Sequence, residues 1–206
     1  MNVPALPQPR SEAGAIDTRF VIDETRAWVT RAVVGLNLCP FAKAPLIKQQ
    51  MRFVVSDAVG PEALLATLRG ELRSLVDTDP AQLETTLLIH PEALADFALF
   101  NDFLDAADRL LEAMDLTGVI QVASFHPRYR FAGTDDDAMG NATNRAPYPT
   151  LHLLREASVE RAVAAFPEAD TIFEANIRTL EALGSEGWAA LQAQCRRDAQ
   201  HQGDQP

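Results

Sequence analysis

Thr85-Thr86-Leu87-Leu88-Ile89-His90-Pro91 and Gly118-Val119-Ile120-Gln121-Val122-Ala123-Ser124-Phe125-His126-Pro127 are two apolar runs that end in the same dipeptide. Both read as buried-type strands, and proline, which has no N–H to give to a ladder, closes each of them. Working outward, Met51-Arg52-Phe53-Val54-Val55-Ser56 is a third strand candidate. Between the first pair in chain order, Met51 to Ser56 and Thr85 to Ile89, lies Pro61 to Val76, with Pro61 suited to a first helical turn and Leu64, Leu65, Leu68, Leu72 and Leu75 on one face. Between the second pair, from about Pro91 to Met114, Phe100, Phe103, Leu104, Ala107, Leu110, Leu111 and Met114 mark another helix. Strand, helix, strand, helix, strand implies right-handed crossovers. The fold class expected is therefore α/β: a small, mostly parallel sheet of at least three strands with a βαβαβ core, flanked by helices.

The flanks are helical. Val21, Trp28, Val29, Ala32, Val33 and Leu36 recur at helical spacing between Asp17 and Leu36, and Asn37 can stop that helix. Ser158 to Phe166, Asp170 to Leu183 and Ser185 to Ala199 read as helices, with Ser158, Asp170 and Ser185 as N-caps and Gly184 as a C-cap. Residues 1–16 hold three prolines and no periodicity, and residues 200–206 are polar. Both ends read as flexible tails around a single domain, 17–199.

The chain's 206 residues, 47% hydrophobic and 23% charged, suffice for one well-cored domain. A net charge of -11 argues against bulk binding to nucleic acid or to anionic membranes. Cys39 and Cys195, far apart in sequence, fit a reducing compartment better than a disulfide framework. With no apolar run near the roughly 20 residues of a membrane span and no signal-peptide pattern, a cytoplasmic location is expected.

In a parallel core all strand C-termini share one edge, and open α/β sheets bind ligands there. Ser56, Asp57, His90 and His126 arrive at that edge. After His126 come some 25 residues with little core pattern but with arginines, asparagines, tyrosines and prolines. A loop that long in a compact domain is usually functional. The expected site is therefore this loop, with the alternative that each histidine merely closes its strand.

Three constellations compete for it. Cys39, as N-cap of a short helix opened by Pro40, would gain thiolate character, although the end of the helix before Asn37 opposes this. With His126 or His152 as base and Asn144 as orienter, a Cys-His-Asn arrangement is conceivable. Alternatively Cys39, His90, His126 and His152 offer ligands suited to zinc or iron, though no pair has a short ligand spacing. Thirdly, Arg128, Arg130, Arg145 and Arg155 could clamp a carboxylate or phosphate, while Arg128 and Arg130 can equally face solvent. Asp135-Asp136-Asp137 does not continue as a calcium loop, and no Walker or Gly-x-Gly-x-x-Gly pattern is present.

Gly35-Leu36-Asn37-Leu38-Cys39-Pro40-Phe41-Ala42-Lys43, the run Ser124 to Gly133, and Thr143-Asn144-Arg145-Ala146-Pro147-Tyr148-Pro149 followed by His152-Leu153-Leu154-Arg155-Glu156 resemble the bacterial family catalogued as domain of unknown function 1415. The resemblance covers most of the chain and implies a shared site without naming its chemistry. His126, Asn144, Arg145 and His152, which lie in its motifs, are expected to converge on one pocket, with His152 beginning the next helical segment and Arg155 one turn along the same face. Two function classes remain. One is a small enzyme, a hydrolase or transferase, acting on an anionic small molecule. In it His126, His152 and Cys39 are catalytic, and Asn144, Arg145, Arg155, Tyr148 and His90 bind the ligand. The other is a non-catalytic module that binds a ligand, metal or protein. Cofactor, metal and oligomeric state are left open by the sequence. Spatial reach decides between the classes: Cys39 or His90 beside His126 and His152 favours chemistry, and scattered, separately satisfied histidines favour a binding or structural role.

Overall fold

The computed structural model describes residues 15–165 and 171–203. Asp17 accepts a hydrogen bond from the Phe20 N–H and starts α1, Thr18–Trp28. The helix then widens into a π-helical segment, Val29–Val34, rather than running straight to Leu36. It closes with the Gly35 N–H on the Thr30 carbonyl, an i→i−5 bond of 3.0 Å. A Cβ on Gly35 would lie 2.3 Å from the Arg31 carbonyl oxygen, so only glycine fits this exit. Gly35→Ala is expected to destabilise the fold by about 2 kcal/mol, the usual scale of a steric insertion that moves backbone. Urea denaturation measures this, and a variant as stable as the wild type refutes the assignment.

Asn37 then takes a left-handed conformation, and a short 3-10 turn, Pro40–Ala42, leads into α2, Lys43–Ile47. The chain continues through β1 Met51–Val55, α3 Pro61–Asp77, β2 Thr85–Ile89, α4 Phe97–Ala113 and β3 Ile120–Phe125, in the order expected. α4 begins later than expected. Leu94 adopts positive φ, and the Asp96 carboxylate caps the N–H groups of Ala98 and Leu99.

The sheet corrects one part of the sequence reading. Thr150–Arg155 is a strand, β4, where a helical segment starting at His152 was expected. It inserts between β2 and β3 and runs antiparallel to both, giving the order β1-β2-β4-β3. The sheet is therefore mixed, not mostly parallel. β1 and β2 pair in parallel, and because β2 and β3 both oppose β4, all three still point the same way. The physical reason is alternation: Leu151 and Leu153 are fully buried toward α3 and α4, while His152 points to the opposite face. Pro147 and Pro149 favour an extended entry to this segment.

Two layers of helix cover the sheet. On one face, Leu64, Leu68, Leu72 and Leu75 of α3 and Phe100, Phe103, Ala107 and Leu110 of α4 pack on Leu88, Ile120, Leu151 and Leu153. Fully burying each leucine stabilises by about 2 kcal/mol. On the other face, Trp28, Val29 and Ala32 join Leu180, Trp188 and Cys195 over Leu87 and Ile89. α5, Glu156–Ala164, follows β4 directly. Ser158 is thus inside the helix rather than at its cap; Phe166 and Asp170 lie outside the described residues. α6, Ile172–Gly203, is interrupted at Gly184, whose φ is 67°, where the sequence placed a cap. It runs past Ala199 into the stretch expected as a tail, and residues 1–14 and 204–206 of the expected tails are outside the described residues.

Candidate functional site

Because β1, β2 and β3 share a direction, Ser56, His90 and His126 leave the sheet at one edge. The backbone continues the pairing there: Ser56 N–H to the Ile89 carbonyl at 2.8 Å, His90 N–H to Pro149 at 3.0 Å, and His126 N–H to Asn144 at 3.1 Å. The long loop is thus stitched to the strand ends. Its own side chains complete the work. Asn144 donates to the Ser124 carbonyl at 3.1 Å. Arg145 donates to the carbonyls of Tyr129 and Asp136 at 3.1 and 2.6 Å. Fully buried Asn141 accepts from the Phe131 N–H and the Thr134 hydroxyl and donates to the Asp135 carbonyl. Sequence patterns do not single out Asn141, because its burial has no local signal.

Both edge histidines are neutral parts of the core. His126 Nδ1 accepts the Arg128 N–H at 3.0 Å, so Nε2 carries the proton and donates to the Leu94 carbonyl at 3.3 Å. The His90 Nδ1–H donates to the Ala93 carbonyl at 3.0 Å, leaving Nε2 buried without a partner. Both rings pack on Phe100, with centroids 5.8 and 5.1 Å away. Burial pushes both imidazoles down to about 4, and proximity of the two adds to the effect on His90.

His152 lies on the other side of the sheet. The Thr85 hydroxyl spends its proton on the Leu153 carbonyl at 2.7 Å, so it accepts the Nε2–H of His152 at 2.6 Å. That fixes the tautomer and leaves the Nδ1 lone pair uncommitted. Desolvation lowers this imidazole to about 4 as well, although the ring is only partly buried. Its neighbour is Phe125, 6.2 Å away, itself in edge contact with Trp28 of α1.

The other expected residues are likewise engaged. Tyr148 donates a short hydrogen bond to the buried Glu24 carboxylate, which also faces Arg196 at 3.8 Å. Burial raises the Glu24 carboxyl, opposed by Tyr148 and Arg196; burial and Glu24 together raise the phenol. Arg155 donates to the carbonyls of Leu75, Thr78 and Leu83 and so caps α3. Cys39 does cap the turn that Pro40 opens, but burial outweighs the N–H groups of Phe41 and Ala42 and raises its thiol rather than lowering it. The expected convergence of His126, Asn144, Arg145 and His152 on one pocket is not formed. His126 packs against α4, His152 faces the α1 side, and both arginines of that motif serve the backbone. Among the described residues no three His, Cys, Asp or Glu side chains cluster as a metal site.

The surface left at the edge is aromatic. Rings follow one another from Phe100 through Phe97, Tyr129 and Phe131 to Phe173, with centroids 6.3, 5.3, 5.0 and 6.0 Å apart. Arg128 and Arg130 stand exposed beside them. No helix among the described residues is long and apolar enough to cross a membrane.

Fold and loop define a three-layer mixed α/β domain whose long third-strand loop is sewn to the strand ends. The chain belongs to the family described as protein of unknown function (DUF1415), whose family model matches residues 20–190. Comparison with curated proteins and with solved structures finds no match.

Proposed function

We propose that the chain is a non-catalytic protein-binding module, and that its contact surface is the row of rings at the strand C-terminal edge. The observation that supports this reading is the continuity of the row. Phe100 anchors it fully buried, and Phe173 ends it 53% exposed. Aromatic side chains and arginine are the groups that dominate protein interfaces. Arg130 pairs with Asp136 and Arg128 lies 3.9 Å from Asp96, both pairs in solvent. Such pairs are weak and exchange readily. A partner's carboxylate can take the place of Asp136 on the Arg130 fork. The loop's internal hydrogen bonds hold the rings in place beforehand, which reduces the ordering cost of association. The partner is therefore a segment with a bulky apolar side chain beside an acidic residue.

Peptides selected from a displayed random library on the purified chain test this reading. Enrichment of an aromatic or leucine next to Asp or Glu is expected. Phe173→Ala and Arg130→Ala should each weaken a selected peptide about tenfold, roughly 1.4 kcal/mol. Peptides without that pattern, or unchanged affinity in both variants, would rule the surface out.

A catalytic reading, as a hydrolase or transferase on an anionic small molecule, keeps support from one atom, the uncommitted Nδ1 of His152. An imidazole at about 4 is a weak base near neutral pH, which is why binding is the better-supported class.

A further inference from the structure

The π-helical turn after α1 has a role that the strand-edge surface does not use. In a straight α-helix, residues five apart point roughly 140° away from each other. Closure at i→i+5 widens the turn and stacks such residues one above the other. Thr30 and Gly35 are joined by that closure, and with Arg26, at the end of α1, and Arg31, inside the π segment, they line one groove beside α6, of about 710 Å³. Gln194 and Asp198 form its far wall, with Ala27 and Leu191 supplying apolar surface.

Charge within the groove is not balanced. Asp198 is held on both oxygens, by Arg31 Nε at 2.5 Å and by Gln194 at 2.8 Å. Its charge is neutralised by Arg31, whose terminal nitrogens make no hydrogen bond among the described residues. Arg26 has no carboxylate partner among the described residues, and its guanidinium rests over the Phe53 ring at 4.9 Å. The site thus presents one uncompensated cation, a second guanidinium with donors to spare, the Thr30 position and an apolar side. This stands in a chain of net charge -11.

The geometry points to a binding site for a small organic anion: a carboxylate or phosphate group bridging Arg26 and Arg31, with an apolar body against Ala27 and Leu191. Guanidinium forks hold such oxygens in two-pronged fashion. The opening between two helices is concave, as small-molecule sites are. The site is independent of the strand edge, so either can fail alone.

Amide NMR of the full chain, titrated with phenyl phosphate, inorganic phosphate and benzyl alcohol, tests it. Phenyl phosphate is expected to shift Thr30, Gly35 and Gln194. Inorganic phosphate should shift the same amides only at higher concentration, and benzyl alcohol should leave them in place. Arg26→Ala should weaken phenyl phosphate at least tenfold. Arg26→Lys, which keeps the charge but not the fork, should give an intermediate loss and guards against a folding artefact. Shifts scattered over the surface, benzyl alcohol binding as well as phenyl phosphate, or unchanged affinity in both Arg26 variants would overturn the site.

Discussion

Lowering the pH from 7 to 4 is expected to cost the fold about 6 kcal/mol through two side chains, His90 and His126. Each imidazole sits at about 4 in the folded chain against an ordinary 6.5. In that window the unfolded chain binds the extra protons and the folded chain does not. Stability therefore falls as pH drops below about 6.5 and levels off below about 4. A shift of that size corresponds to about 3 kcal/mol for each ring. His152 adds less, because its ring is partly exposed. Glu24 works in the opposite sense. Its carboxyl is raised, so the folded chain takes up that proton first and gains stability as pH falls. Relief of the -11 net charge acts in the same direction as Glu24. The measurement that isolates the histidines is urea denaturation of the wild type, His90→Gln and His126→Gln at pH 7, 5.5 and 4, since the carboxylate effects are common to all three. The wild type should lose more stability than either variant across the series. Parallel pH profiles would mean that these imidazoles are not held neutral by the fold.

The neutrality of these rings also marks how far the sequence could be read. β1, α3, β2, α4 and β3 are legible because each carries its own apolar period and turn residues; Leu64, Leu68, Leu72 and Leu75 announce α3 without help from elsewhere. β4 is not. His152 and Arg155, three apart, look like one helical turn, and only the burial of Leu151 and Leu153 against helices far earlier in the chain makes the segment a strand. The π turn is equally hidden: Val29, Ala32, Val33 and Leu36 satisfy an ordinary helical spacing, and the extra residue shows only as the Gly35 bond to Thr30.

The edge itself was legible, because strand direction follows from connectivity and His-Pro pairs end strands. The roles of its residues were not. Asparagine, arginine and histidine donate to ligands and to backbone carbonyls with the same groups. Which they do depends on whether a loop of some 25 residues needs them to satisfy its own backbone. Here it does: Asn141, Asn144 and Arg145 are consumed in that way. What remains for a partner is what the loop does not need, namely ring faces and the exposed Arg130 guanidinium with its solvent pair to Asp136; Arg128 already donates to the Ala95 carbonyl at 2.6 Å.

Arg155 carries this distinction to its largest mutational effect. It was expected to clamp an anion, one turn beyond His152. Instead its NH2 group meets the carbonyls of Leu75, Thr78 and Leu83 at 2.5, 2.7 and 3.1 Å. Leu75 and Thr78 sit at the end of α3, where the unpaired carbonyls and the negative end of the helix dipole favour a cation. Arg155→Ala removes charge-assisted hydrogen bonds and leaves three partly buried carbonyls to be rehydrated, so it should destabilise the fold by about 3–5 kcal/mol. Arg155→Lys restores the charge but not the fork and should recover about half of that loss. Thermal and urea denaturation measure both. Because the side chain lies on the α3 side of β4, away from the ring row and from the α1–α6 groove, affinity per folded molecule should stay unchanged for the selected peptide and for phenyl phosphate. A loss of either affinity without loss of stability would return Arg155 to the role of ligand clamp.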